Sequence, residues 1–596
     1  MPQQGITFAG AYIALPGAYY QDNVSAAAPN TPPTTPPLVF LGYGWGPKPK
    51  TPVTFTNPQD LLNALRGSPA AAFVPFMANP SPNQNGAQLI TFIDVSSNTQ
   101  AVAPLLSSGA TTQTLLTSTL YGPPSNQMTY QVAAGSTAGR KLTIYDGYSG
   151  ATLVGDNLTV PFQLAYSGAA TGAVTYAVTS GALTLTSPVA GESITVPLGS
   201  GAYATTAAVI QYINGTSNYF AQGLSSTGGL LPSNFLTATG SVALPLPVSG
   251  ALQYVNVNAY LQDIAFWVNQ FASGLCTAVV SGSATDVAGY VPVTGNTTFF
   301  SGAQGVPPVN ADYGTGLNVA LTVPGWTVFC DSNVIAVQAL LAQHVETASS
   351  APYGMWRRGF TGSSVGDTVA TTQTNAKALD SIQMNYLYPG IYRTNTATGQ
   401  NQLYGGLYAA AAAAAMATGN QIALPLTNKV LNATGVELAN AGAALTTSQL
   451  VALENAGVMA IYAPQQTGVP TILSDVTTWQ ADSNVENTSS QQVACRYWLA
   501  YSMIAAMQPY VGTIAAPTTE VNIVKAAVKM LNALVYTGGA NNGVLASWDS
   551  KSLKLVYNGQ SQVAGITVNV VLVGQNKYIT VYASVEPLNF TLSAAA

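Results

Sequence analysis

Leu38-Val39-Phe40-Leu41 is an unbroken apolar run that stops at a glycine turn, Gly42-Tyr43-Gly44-Trp45-Gly46-Pro47. A short continuous run bounded by a turn predicts a strand buried on both faces. Asn57-Pro58-Gln59-Asp60 then opens a helix over 61–65, with Asn57 as N-cap, Pro58 at the first helical position and Asp60 in the first turn. From about 100 to 250 the texture changes to short alternating runs rich in Thr, Val, Ser and Gly, such as Lys141-Leu142-Thr143-Ile144-Tyr145 and Ala182-Leu183-Thr184-Leu185-Thr186. Period-two alternation punctuated by Gly or Asp-Gly predicts strands, and this stretch reads as an inserted β-sandwich-like domain. Helical spacing returns at 257–271 and at 332–345, where Val334, Val337, Leu341 and Val345 recur behind a Ser332 cap. Further helices are expected near 405–417, 491–507 and 519–536. The chain closes with two strands, 566–573 and 578–585, around a Gly574-Gln575-Asn576-Lys577 turn. At the other end, residues 5–8 and 11–13 have strand character, Pro16-Gly17 breaks the run, and 29–37 is a Pro/Thr linker.

At roughly 150 residues per domain, a chain of 596 residues corresponds to about four domains. Hydrophobic residues make up 48% and charged residues only 6%, which excludes a disordered chain. The surface must then be covered by neutral polar groups, which suits extensive self-association because few charges are desolvated on docking. The net charge is -5 and no basic stripe occurs, so no nucleic-acid footprint is present. Cys276, Cys330 and Cys495 lie far apart and form no CxxC, and they read as buried free thiols. No signal peptide is visible at the N-terminus, and the longest apolar stretch, 407–417, is too short to span a bilayer. Synthesis in the cytoplasm without membrane insertion is the expectation.

The candidate chemistry is thin. Gly362-Ser363-Ser364-Val365-Gly366 is a literal GxSxG, but the only histidine, His344, precedes it, whereas hydrolase elbows run Ser, acid, then His. A Gly/Ser loop and a satisfied histidine on a helix are the simpler readings, and one histidine leaves no His-based zinc site. Gly42-x-Gly44 after a strand lacks a following helix, with Pro47 in its place, so it is a turn and not a dinucleotide fingerprint. No paired-carboxylate or EF-hand pattern stands out. The sequence argues against an enzyme, and no cofactor is expected.

The ordered set of segments resembles the contractile tail sheath family of phages and related injection systems. It begins with Pro16-Gly17-Ala18-Tyr19-Tyr20, Leu41-Gly42, Gly46-Pro47, Thr51-Pro52-Val53 and 60–67. Tyr121-Gly122 with Asn126 is similar to inserted domains of sheaths. The second half continues with 336–345, Arg357-Arg358-Gly359, Tyr388-Pro389-Gly390, Leu424-Pro425-Leu426-Thr427-Asn428-Lys429, 450–457, Thr477-Thr478-Trp479, Arg496-Tyr497 and Val511-Gly512. The very low charge and long insertion depart from commoner members.

The resemblance implies an α+β multidomain protein: a mixed α/β sheath core formed from both chain ends, an inserted β-rich domain and extended terminal arms. The boundaries expected are an arm and linker at 1–37, a discontinuous α/β core at 38–100 and 255–380, the insertion at 101–254, a C-terminal α/β domain at 381–565 and C-terminal strands or arm at 566–596. It also implies arms that add strands to neighbours' sheets. Ile6, Phe8, Tyr12 and Ile13 are the candidates in the N-terminal arm; Ile566, Val568, Val570, Tyr578 and Val581 are those at the C-terminus. Pairing of both termini within their own domain stays open. Lys525 and Lys529, one turn apart on the 519–536 helix, are candidates for a tube-facing surface, with a solvated helix face as the other reading.

The function implied is that of a sheath subunit polymerising helically, in stacked rings, around a tail tube, with baseplate and tail terminator proteins as further partners. Contraction would drive the tube through the host envelope. The location implied is the virion tail, assembled in the host cytoplasm. A surface-layer or capsid-decorating protein is the alternative, sharing the low charge and β-rich insertion.

Overall fold

The structure is a computed structural model. It describes residues 37–577, apart from 180, 282–286, 351–353, 396–397, 439–442, 539–542 and 559–562, together with the backbone of 6–8 and 11–13. The chain first pairs Ile6–Phe8 (β1) with Ala11–Ile13 (β2). The core strands follow as β3 (Leu38–Gly42), β4 (Pro52–Phe55), β5 (Ile90–Asp94), β6 (Thr327–Cys330), β7 (Arg358–Gly362), β8 (Met384–Tyr388), β9 (Val458–Tyr462) and β10 (Thr471–Ile472). They form one eight-stranded sheet in the order β10-β9-β8-β7-β6-β3-β5-β4. The six inner strands are parallel and only the two edges are antiparallel.

Both faces of this sheet are covered, which is why its strands read as continuous apolar runs. Leu38 and Phe40 enter the core on one side, Val39 and Leu41 the core on the other, and neighbouring strands repeat the alternation. The covering helices are α1 (Pro58–Ala64), α2 (Asn310–Ala320), α3 (Ile335–Ser349), α4 (Val369–Leu379), α5 (Gly406–Gly419) and α6 (Thr447–Asn455). Helices α2, α3, α4 and α6 lie on one face, α1 and α5 on the other. The N-cap expected for α1 is present: Asn57 Oδ1 accepts from Gln59 N at 2.9 Å. Helix α3 differs, because its N-cap is Val334; Ser332 Oγ instead accepts from Val334 N, a local turn ahead of the helix.

Helix α5 carries seven consecutive alanines, and every residue from Ala409 to Ala417 is buried. With nothing longer than a methyl on most positions, its backbone approaches the sheet closely. A Cβ on Gly362 would meet the Gly406 carbonyl carbon at 2.4 Å, and Thr327 Oγ1 lies 2.5 Å from Thr418 Oγ1.

Between β5 and α2 the chain leaves the core. Antiparallel strands from Gln100–Leu106 to Thr298–Phe299 form four small sheets, joined by helices Thr206–Asn214 and Gln262–Phe271. They enclose two separate hydrophobic cores, one around Phe162, Tyr176 and Leu185, the other around Leu116, Ile144 and Trp267. The inserted strands thus continue beyond residue 254, where the sequence texture had placed their end; Val255–Val257, Cys276–Val280 and Thr298–Phe299 all pair with them. The root of the insertion is tied together, Thr99 N donating to Gln304 O at 3.2 Å and Val306 N to Asn98 Oδ1 at 2.9 Å. A bidentate pair, Arg66 with Asp146 at 2.8 and 2.7 Å, docks the insertion against the core.

At that root sit two carboxylates, Asp94 buried and Asp331 half-buried. Asp94, ending β5, accepts from Gly44 N, Ser96 N, Ser96 Oγ and Asn98 Nδ2. Asp331, just after β6, accepts from Tyr43 N at 2.7 Å and Tyr313 Oη at 2.5 Å. Burial pushes both up to about 6, and the charge of Asp94 adds to the shift of Asp331. The preceding glycine turn requires glycine at Gly46, where φ is +93° and a Cβ would meet Ala64 O at 2.2 Å.

The C-terminal unit is built from α7 (Ser490–Met507), α8 (Pro517–Ala533), β11 (Leu545–Asn558) and β12 (Val563–Leu572). Its core is continuous with the sheet domain: Trp498 meets Trp326 edge to face at 5.4 Å, and Arg358 Nη1 donates to Ser490 Oγ at 3.1 Å. The three cysteines are buried free thiols, as expected.

Candidate assembly surfaces

Strands β11 and β12 pair antiparallel with each other and, among the described residues, with nothing else. A lone two-stranded sheet is marginal in water, so this one depends on its anchor. Leu545 and Val568 are buried, and Ile566 and Val570 pack against the same α7–α8 cluster. Val556 and Val571 are 64% and 57% exposed. The two outer edges are unlike. Pairing slips between Asp549 and Lys554, so residues 550–553 of β11 bulge from the ladder, in a segment that carries Asp549, Lys551 and Lys554. Bulges and charges are the devices that blunt an edge against pairing. Strand β12 has no charged residue, is rich in Val, Ile and Thr, and its register runs evenly from Thr567 to Val563.

The β1–β2 pair, with Ile6 opposite Ile13 and Phe8 opposite Ala11, forms its own sheet and joins no other described strand. Its stretch of chain is likewise free of charge up to Asp22.

On α8, Ile523, Ala527, Met530 and Leu531 are buried, while Lys525 and Lys529 are exposed on the other side. The two lysines line a cleft of about 440 Å³ between α7 and α8, opposite Ala505, Ala506 and Tyr510. Residues 490–577 hold six cations against two carboxylates, in a chain whose net charge is -5. The C-terminal unit is therefore basic and the remainder acidic.

The central serine of the GxSxG segment, Ser364, and the histidine are engaged elsewhere. Ser364 Oγ accepts from Asn333 Nδ2 at 2.8 Å, and His344 is buried with Nε2 2.9 Å from Arg357 Nη1. No helix among the described residues is long and apolar enough to cross a membrane.

No protein-family model matches the chain. It is 25% identical over 415 residues to the tail sheath protein of Bacillus phage SP01, an alignment covering 67% of this chain and 68% of that one. The fold is that of a sheath tail protein from Listeria innocua, with a TM-score of 0.54 at 10% identity over 92% of this chain and 94% of that chain. The chain is similar to tail sheath proteins in sequence and in fold. A second solved sheath tail protein, from Desulfitobacterium hafniense, aligns over 94% of this chain and 100% of its own at a TM-score of 0.48 and 11% identity.

The expected site residues fall in three places. Lys525 and Lys529 share one exposed face of α8. Ile566, Val568 and Val570 lie on one strand, but their side chains serve the subunit's own core, so what β12 offers outward is its backbone edge. Ile6, Phe8, Tyr12 and Ile13 lie in the β1–β2 pair, whereas Tyr578 and Val581 lie outside the described residues.

The expected hairpin turn at Gly574–Lys577 is not one. These residues run back over the core, held by Gln491, Gln492, Thr427, Ser489 and Glu454. Such long-range side-chain contacts leave no local signal in the sequence. Strand β11 was also absent from the sequence reading.

Proposed function

We propose that this chain is the subunit of a contractile tail sheath, a structural and not a catalytic component. Copies polymerise helically, in stacked rings, around a tail tube, bounded by baseplate and terminator proteins. Release of a metastable packing shortens the polymer and drives the tube through the host envelope. Energy is held as the difference between two packings of the same subunits behind a barrier. The polymer is part of a virion tail, assembled in the host cytoplasm.

The observation that carries the reading is the charge-free outer edge of β12, in a sheet of two strands among the described residues, together with an N-terminal strand pair that joins no other described sheet. Offered edges and uncommitted strands are the two halves of strand addition between copies. A few ladder bonds at about 1 kcal/mol each are weak singly. Repeated along a polymer they act together. Contacts of this heterologous kind do not close on themselves and generate a tube. The faces of α8 that carry Lys525 and Lys529 are assigned to the tail tube.

Negative-stain microscopy of the purified protein tests the reading, with and without residues 1–15. Full-length protein is expected to form hollow tubes. The truncated chain is expected to remain a folded monomer, its thermal unfolding almost unchanged, that no longer polymerises. Flat sheets from the full chain, or normal tubes from the truncated one, would overturn it.

A further inference from the structure

After β12 the chain does not turn back along its own sheet. Val573 O accepts from Gln491 Nε2 at 3.0 Å and from Gln492 Nε2 at 2.8 Å. Gln491 Nε2 also donates to Ala423 O at 3.1 Å, so one buried amide ties the departing strand to a loop of the core. Two residues on, Gln575 Oε1 accepts from Thr427 Oγ1 at 2.7 Å, and Gln575 Nε2 donates to Ser489 Oγ at 3.2 Å. Two residues further, Lys577 pairs with Glu454 at the end of α6, and Glu454 Oε1 also accepts from Ser474 Oγ at 2.9 Å.

Fastening thus recurs at every second residue, 573, 575 and 577, and its partners come from three parts of the chain distant in sequence, 489–492, Thr427 and Glu454. A hairpin turn would need the opposite: residues bonded to each other and free of the surroundings. We propose that residues 573–577 form a strap that fixes the root of the last nineteen residues to the core, so that tension on that terminal segment bypasses the β11–β12 pair. This rests on the reading that the terminal segment joins a second copy of the chain. Without the strap, a pull on residue 578 would act directly on the end of β12, whose ladder holds one partner strand among the described residues. With it, the load enters α7, α6 and the 424–429 loop, which belong to the continuous core.

The test uses full-length protein and measures polymer disassembly in guanidinium by light scattering. Gln575→Ala with Lys577→Ala is expected to leave monomer unfolding unchanged but to speed disassembly at least about tenfold, which corresponds to about 1.4 kcal/mol. Unchanged disassembly overturns the strap. A charge exchange provides a second arm that does not depend on the first: Lys577→Glu is expected to speed disassembly, and adding Glu454→Lys to restore it. Failure of the exchange to restore the rate also overturns it. Failure of the underlying reading looks different: removal of 578–596 would then leave polymers intact. Polymers that need the segment but ignore the strap variants reject the strap alone.

Discussion

Arg357 Nη1 lies 2.9 Å from Nε2 of His344, and both side chains are buried. An arginine donates only, so Nε2 must accept and the imidazole is neutral. Burial, and then the adjacent guanidinium, push the histidine down to about 3. The folded pKa is below the unfolded value near 6.5, so as pH falls the unfolded chain takes up a proton that the native state refuses. Stability is therefore fully present above about 6.5 and falls toward pH 3 by up to about 1.4 kcal/mol per pH unit. In His344→Gln the amide oxygen still accepts from Arg357, and this acid sensitivity should vanish. Denaturant unfolding at pH 7, 6, 5 and 4 checks it; parallel curves for the two proteins would reject it.

Asp94 and Asp331 work in the opposite direction. Both are raised to about 6, so each contributes stability that is full below about pH 4 and is lost as pH rises through 6. The basic group nearby, Lys50, bonds the Val95 and Ser96 carbonyls and Asp312, and does not contact either carboxylate. Between pH 4 and 6 the aspartates and His344 partly cancel in the native protein. Asp94→Asn should shift the slope of stability against pH upward from the native one, bringing it close to flat, and His344→Gln should steepen the fall with rising pH. The same set of denaturant curves reads both slopes, and shifts in the same direction from the native slope in the two variants would refute the assignment.

The insertion is expected to be dispensable for the fold of the core. Its two connecting segments are hydrogen-bonded to each other at Thr99 and Gln304, so the cut ends are already adjacent. Replacing 100–303 with a short glycine linker should leave a folded core that still polymerises, with Arg66 released to solvent. Circular dichroism and microscopy check the two parts. A folded deletion protein unable to polymerise would make the insertion part of the lattice.

Lys525→Gln with Lys529→Gln removes two exposed cations and no buried contact. Stability should change by less than about 0.5 kcal/mol. Binding of the polymer to tail tubes should weaken, while polymers of this chain alone form normally. Co-sedimentation with tubes measures it, and undiminished co-sedimentation would take α8 away from the tube.

What could be read from the sequence follows where the signal is local. Leu38 to Leu41 announce a strand buried on both faces because every one of them is buried, and Asn57 and Pro58 announce α1 because a cap acts over one turn. Strand β11 leaves a weak local signal for a physical reason: the bulge at 550–553 puts Trp548 out of period-two step with Leu553 and Leu555. Helix Gln262–Phe271 belongs to the insertion but is amphipathic like any core helix, which moved the expected boundary to 254. The strap was read as a turn because Gly574 and Asn576 are turn residues, and the partners that straighten it lie roughly eighty to a hundred and fifty positions away.

The alanines of α5 bear on how such a subunit moves. Alanine has no side-chain torsion to exchange, and burying it forfeits no rotamer freedom. A helix of alanines seated on the sheet therefore has a single way to pack, where leucines or methionines could interlock in several. The layer that joins β6, β7 and β8 to the helix above them has no internal gears. In a rearrangement of the proposed polymer, that block would turn as one solid piece, with the freedom in its straps, roots and edges.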